Sequence, residues 1–218
     1  MAVCPIFLLI SRVSSSGLNL LCVKMLRKVL IGFVAFVFSA GVAGAQDYGV
    51  KTNILYDLTS TVNLGIEYRL DDRWTFDMSG NYNAWTLKKG TRWKHWMVQP
   101  EFRFWNCDAF SGHFVAFHGI AGQYNFGGIR NGLNFLGNDF SQLSEHRFQG
   151  SAIGGGVAYG YAWILGLHLN LEAEIGVGYI YTEYDKFNCV GCGKRIITGQ
   201  PAHYVGPTKA AINLVYIF

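Results

Sequence analysis

The feature that most constrains this chain is a period of two. From Gln46 onward, apolar and polar residues alternate in run after run. That period belongs to strands whose two faces meet different media. Leu64, Ile66, Tyr68 and Leu70 alternate with Asn63, Gly65, Glu67 and Arg69. Trp74, Phe76, Met78, Gly80 and Tyr82 alternate with Thr75, Asp77, Ser79 and Asn81. A fourth run sets Trp96, Val98, Phe102 and Phe104 against Gln99, Glu101 and Arg103. A seventh sets Leu169, Leu171, Ala173, Ile175, Val177 and Tyr179 against His168, Asn170, Glu172, Glu174 and Gly176. The last pairs Ala210, Ile212, Leu214, Tyr216 and Phe218 with Lys209, Ala211 and Asn213. Less regular strands are expected at about 48–57, 113–124 and 148–165, which makes eight.

The links between these strands alternate in length. Short ones are expected around Asp71-Asp72-Arg73, at Asn106–Gly112 and around Leu165-Gly166. Long ones are expected at Trp85–Lys94, Asn125–Arg147 and Asp185–Pro207, the link at Leu58–Val62 being the exception. An even strand number with short turns at one end and longer loops at the other describes a bacterial outer-membrane barrel, with both termini on the periplasmic side.

The first 45 residues are of another kind. Lys24, Arg27 and Lys28 precede an apolar run from Val29 to Val42, and Ala43-Gly44-Ala45 gives a small-x-small cleavage pattern before Gln46. That is the layout of a helical secretory signal peptide at residues 25–45, too short in its apolar part to span a bilayer. Met25 is the more natural start, so residues 1–24 are expected to be a wrongly assigned N-terminal extension, and 46–218 the barrel domain. Charge follows the same division. The chain has 18 Lys and Arg against 14 Asp and Glu, and Arg12, Lys24, Arg27 and Lys28 all lie in the leader. The remainder is balanced, which removes the argument for a nucleic-acid partner.

A soluble barrel would put the apolar faces inward. Export, together with Trp, Tyr and Phe gathered towards strand ends, favours the opposite assignment, with these faces against lipid. The terminal Val215-Tyr216-Ile217-Phe218 resembles the assembly signal of outer-membrane proteins. The polar faces then define a lumen that gathers Lys51, Glu67, Arg69, Asp77, Glu101, Arg103, Glu172, Glu174 and Lys209, with Gly154, Gly156, Ala158 and Gly160 as small companions. Eight strands leave room only for side chains. These charges are therefore expected to pair into a plug, because unpaired buried charge is costly.

Cys189-Val190-Gly191-Cys192 has one half of a zinc-ribbon spacing, and no second C-x-x-C exists. A local Cys189–Cys192 disulfide suits an exported loop; a metal site would use Cys189, Cys192 and His203 and still lack a fourth ligand. Cys107, in a turn at the other end, is expected to stay unpaired with them. Lys88, Lys89, Arg92 and Lys94 form a basic loop that could face lipopolysaccharide phosphates. The long Asn125–Arg147 loop, with Phe126, Leu133, Phe135, Leu136 and Phe140, is expected to cap the mouth. Gly154-Gly155-Gly156 does not fit a nucleotide-binding pattern. His95 and His146, with Ser141 and Ser144, sit near the expected outer rim, yet no spacing specifies a nucleophile and its base.

Several segments resemble the DUF3575 family. They are Lys51–Asp57, Asn63–Glu67, Trp93–Trp96, Gln99–Glu101, His113–Val115, Gly122–Asn125, Tyr184–Gly193 and Gly206–Ala211. The resemblance covers essentially the whole chain after the leader. It implies an outer-membrane barrel-like protein of Bacteroidota with no established activity, and it transfers no catalytic residue. As an alternative role it implies an accessory part in surface-fimbria assembly. The sequence as a whole points to a monomeric, non-enzymatic outer-membrane barrel of a Gram-negative bacterium, without a cofactor. Its role would be structural or interactive, carried by loops that meet outer-membrane lipids, lipopolysaccharide or a surface protein. The competing classes are a lipid-modifying outer-membrane enzyme and a narrow pore.

Overall fold

The computed structural model describes residues 47–85, 91–128, 134–135, 138–139, 144–191 and 193–218. The expected leader and the extension before it lie outside the described residues. Eight long strands form one antiparallel sheet that closes on itself. They are β1 (Tyr48–Asn53), β2 (Val62–Asp71), β3 (Trp74–Asn83), β4 (Arg92–Trp105), β5 (Gly112–Gly127), β8 (Arg147–Ile164), β9 (Leu169–Phe187) and β10 (Arg195–Ile217). Round the ring the order is β1-β10-β9-β8-β5-β4-β3-β2. Two short strands, β6 (Asn134–Phe135) and β7 (Asn138–Asp139), pair with each other between β5 and β8. Every ring strand other than β1 neighbours its predecessor in the ring, so each connection is an antiparallel return needing no crossover.

Three sequence expectations are corrected. The first strand stops at Asn53 rather than running to Asp57, and a single-turn helix α1 (Ile54–Leu58) follows. Ile54-Leu55-Tyr56 has no alternation to hold a strand, and the Asn53 side chain accepts the Leu55 N–H at 3.0 Å, a helix N-cap. The last link is also much shorter than expected, because β9 continues to Phe187 and β10 begins at Arg195. Tyr, Thr and Gln in these extensions face water or lumen, so their alternation is hidden from a hydrophobicity reading. Likewise β4 begins at Arg92, which moves Arg92 and Lys94 from a loop onto a strand.

Strands slant round the ring. Starting from Gly49, the pairing runs Glu67, Asp77, Glu101, His118, Gly156, Gly178 and returns to β10 at Gly206. Gly49 itself pairs directly with Ile217, eleven residues further along β10 (217 − 206). One of these eleven is taken up by the bulge between Pro207 and Lys209. A stagger of about ten residues over eight strands corresponds to a tilt near 40° and a tight interior.

Glycines permit the tightest stretch of that wall. A Cβ on Gly156 would lie 2.2 Å from the Val177 carbonyl oxygen, and one on Gly178 would lie 2.3 Å from that of Gly155. Contacts this close leave no room for a side chain at these positions, and Gly150 and Gly154 of β8 approach the Glu183 and Tyr179 carbonyls just as closely, at 2.3 Å each.

The two ends differ. At the turn end, the Phe218 N–H donates to the Tyr48 carbonyl at 2.8 Å, and the Ile217 N–H donates to that of His168 at 2.8 Å. The 106–111 turn folds inward there, and Phe110, at φ 66°, packs with Val215 and Ile217. Trp105, Phe114, Ala116, Ala158 and Ala162 form an adjoining apolar cluster. The loop end carries α1, and above it the ring is taller on the β5-β8-β9-β10 side.

Candidate functional site

The inner face is layered along the ring axis. Above the apolar cap at the turn end lies a buried charge network. Glu67, Asp77 and Glu101 are direct cross-strand neighbours on β2, β3 and β4. Three like charges in a row oppose folding unless cations stand among them. Arg103 supplies the largest part of that neutralisation. Its guanidinium reaches Glu67 at 2.9 Å, Glu172 at 3.0 Å and Glu174 at 3.0 Å, and pairs with Glu101 as well. It also lies 4.6 Å from the centre of the Phe114 ring. Lys51 pairs with Glu67, with Asp77 at 2.6 Å and with Glu172 at 3.6 Å. Lys209 joins Glu101 to Glu174, the latter at 3.2 Å. A neutral chain completes it: Trp105 Nε1 donates to Thr75 Oγ1 at 2.9 Å, and Thr75 donates to Glu67 at 2.5 Å.

Eight of the nine charges assigned to the lumen therefore meet in one cluster. Arg69 does not. It has the inward parity of Glu67, but at the turn end of β2 its guanidinium reaches Asp72 at 2.6 Å and stays partly exposed. Alternation reports the face of a residue and not its height.

Between this network and the loop end, α1 fills the short side. Asp57 accepts from Thr52 Oγ1 at 3.0 Å and from Asn63 Nδ2 at 2.8 Å. Burial pushes its carboxyl above the usual aspartate range, against the opposing pull of those two hydrogen bonds. Asn63 also fixes the strand exit, since its Oδ1 accepts the Asn53 N–H at 2.5 Å. Asn63 lies on the polar face that alternation marks, but Asp57 escaped a periodicity reading; the signal available for it was Asn53 placed as an N-cap before four non-alternating residues.

At the loop end the interior opens into a cavity of about 600 Å³. One rung of paired residues crosses its wall: Asn83, His95, Tyr124, Gly150, Tyr184 and Gln200. Residues directly opposite in a sheet share a face, so the whole rung faces inward. The Tyr124 ring lies 5.2 Å from that of Phe126, which stacks at 4.7 Å on Trp93. Tyr124 Oη and Thr182 Oγ1 are 2.8 Å apart across the bare backbone of β8.

The outer face is apolar and exposed. Leu64, Ile66, Met78, Phe102, Phe117, Val157, Ile175 and Val177 all lie open on it. Aromatic residues bound this band: Tyr48 with Tyr68, and Trp74 with Phe104, at the turn end, and Tyr82 and Trp96 at the loop end. Trp74 to Tyr82 is about 27 Å of strand at about 3.4 Å per residue, or about 21 Å of height at a tilt near 40°.

The remaining sequence candidates fall apart from one another. Cys189 is disulfide-bonded, which removes its thiolate from a metal set, and Cys192 lies outside the described residues. Cys107 is free and exposed at the turn end. His203 is on β10, with Nδ1 2.5 Å from Tyr179 Oη. Of the basic loop, Lys88 and Lys89 lie outside the described residues. So does Ser141, and so do Leu133, Leu136 and Phe140 of the expected cap. His95 belongs to the inner rung, where Asn83 and Tyr124 flank it and no serine does.

A family model described as a protein of unknown function, DUF3575, matches residues 30–218. The chain belongs to the DUF3575 family. No curated protein and no solved structure matches this DUF3575 chain.

Proposed function

We propose that this DUF3575 protein is an outer-membrane β-barrel, exported by a cleaved signal peptide, with a non-enzymatic structural or surface-interaction role exerted from its loop end. The observation that carries this reading is the inverted distribution of polarity. Charged residues are buried inside a closed ring while large apolar side chains are exposed outside it. In water that arrangement wastes the hydrophobic effect, whereas in lipid each half is satisfied. A band about 21 Å high between aromatic rows is close to the roughly 25 Å of such barrels. The network centred on Arg103 occupies the lumen, which argues for a closed channel over a pore. Lipid-modifying chemistry lacks support of the same kind, because His95 has no nucleophile beside it on its rung.

The test is fractionation with gel migration. The folded protein should co-sediment with outer membranes and run faster unheated than boiled. Recovery as a soluble periplasmic protein overturns the reading.

A further inference from the structure

We propose that the cavity at the loop end is a saccharide-binding site, built on the rung Asn83–His95–Tyr124–Gly150–Tyr184–Gln200. This deepens the surface-interaction role and rests on that reading for its position at the membrane surface.

The rung differs in chemistry from the one that holds the charge network. Six residues nearer the turn end on β5 and β8, the paired inward positions are His118 and Gly156, in the same rung as Glu67, Asp77 and Glu101. The upper rung carries no formal charge apart from a titratable imidazole. It offers two phenol rings, two carboxamides and an imidazole round an open space. The wider cavity lining carries one cation, Lys94, against the acids Glu183 and Asp185, a balance that disfavours a phosphate or other strong anion, and an apolar ligand would leave the amides and imidazole unpaired. A neutral sugar needs what is present: aromatic faces for its C–H surfaces and mixed donors and acceptors for its hydroxyls.

Gly150 gives the site its shape. It pairs with Tyr124 on one side and Tyr184 on the other, so two aromatic residues flank a position with no side chain. The Tyr124 side chain crosses this gap to Thr182, 2.8 Å between Oη and Oγ1, and so offers one aromatic face to the cavity beside Tyr184. A Cβ on Gly150 would lie 2.3 Å from the Glu183 carbonyl oxygen, so the gap is fixed by backbone packing. Within the rung, the His95 ring stands edge-on to Trp93 at 6.3 Å and to Phe126 at 6.0 Å, which places an imidazole in an otherwise aromatic corner of the wall.

Height identifies where such a sugar would come from. Tyr82 and Trp96, the outward residues next to Asn83 and His95, belong to the aromatic row at the loop end. The rung thus sits at the level of lipid headgroups, where the sugars of lipopolysaccharide begin. A free surface glycan would offer the same chemistry.

The purified protein, refolded in detergent, should be titrated with two probes and followed by tryptophan fluorescence, Trp93 being stacked on Phe126 beside the rung. One probe is the lipid-free saccharide released by mild acid from lipopolysaccharide of the native host; the other is maltohexaose. Saturable binding is expected, weakened about two- to tenfold by Tyr184→Ala and by a similar factor by His95→Ala. Leu167→Ala, in an exposed turn at the other end, should leave it unchanged. Binding of the lipopolysaccharide saccharide alone assigns a membrane glycan, and binding of maltohexaose, alone or as well, assigns free glycans. Each variant is first shown to be folded by its heat-dependent gel shift, and Tyr184→Phe, which keeps the ring, should retain most of the affinity. Folded protein that binds neither probe, or binding that survives both alanine substitutions, overturns the proposal. Failure to fractionate with outer membranes would instead overturn the membrane reading, and the titration would still decide this one.

Discussion

Replacing Arg103 by methionine tests the interior most directly. The side chain keeps an unbranched stem but loses the end of the guanidinium, its charge and all its donors. Arg103 is fully buried and contacts Glu67, Glu101, Glu172 and Glu174, so none of these is re-solvated when it goes. Within the network the substitution changes five carboxylates against three cations into five against two. Removing one partner of a buried pair typically costs about 3–5 kcal/mol, mostly for the charge left behind. With four carboxylates involved, the upper half of that range is expected. The assay is urea unfolding of the refolded protein in lipid vesicles, read by tryptophan emission. The double variant Arg103→Met/Glu174→Gln removes one of the stranded charges and should recover at least about 1 kcal/mol of the loss. Stability of Arg103→Met within about 1 kcal/mol of the parent would refute the closed network, because only carboxylates that water reaches could tolerate the loss.

Four further outcomes follow from the same geometry. Gly156→Ala should fold poorly or lose more than about 3 kcal/mol, whereas Gly80→Ala, whose Cβ meets nothing within 4 Å, should leave the unfolding midpoint nearly unchanged. Met78→Arg, midway between the aromatic rows on β3, should cost about 2–4 kcal/mol in vesicles, while Leu167→Arg in the exposed turn should cost almost nothing. Asp57 has its carboxyl pushed up by burial, so its protonated form favours the fold and that contribution fades as pH rises through the folded value. Asp57→Asn should accordingly flatten the stability profile just above the usual aspartate range, read by urea midpoints at each pH. Iodoacetamide should label Cys107 without reductant and Cys189 only after reduction, as intact mass would show.

Local pattern carried the sequence reading well along the central strands. Glu67, Asp77, Glu101, Glu172 and Glu174 were assigned to one face by parity, and they share it because successive side chains of a strand point oppositely whatever the partner. Near the ends the same rule lost its hold. Asn53 turns the chain into α1 by a cap that alternation does not register, Arg69 finds Asp72 at the rim, and the bulge near Thr208 flips the parity of β10 above it. The strand extensions to Phe187 and from Arg195 mix polar and apolar residues without a steady alternation, and β10 carries register shifts there, so hydrophobic period could not mark them as strand.

By itself the sequence determined an all-β chain of eight strands, their antiparallel succession and which face of each central strand is charged. These are consequences of a two-residue period and of link length, both short-range properties. Tertiary structure alone decided what stands beside what. The stagger of about ten residues round the ring places Arg103 among four carboxylates from two other strands and its own. The same stagger sets Gly150 between Tyr124 and Tyr184, and it puts Gly156 against the backbone of β9. Register between distant strands is fixed by closure of the whole ring, a condition that no single segment of the chain can express.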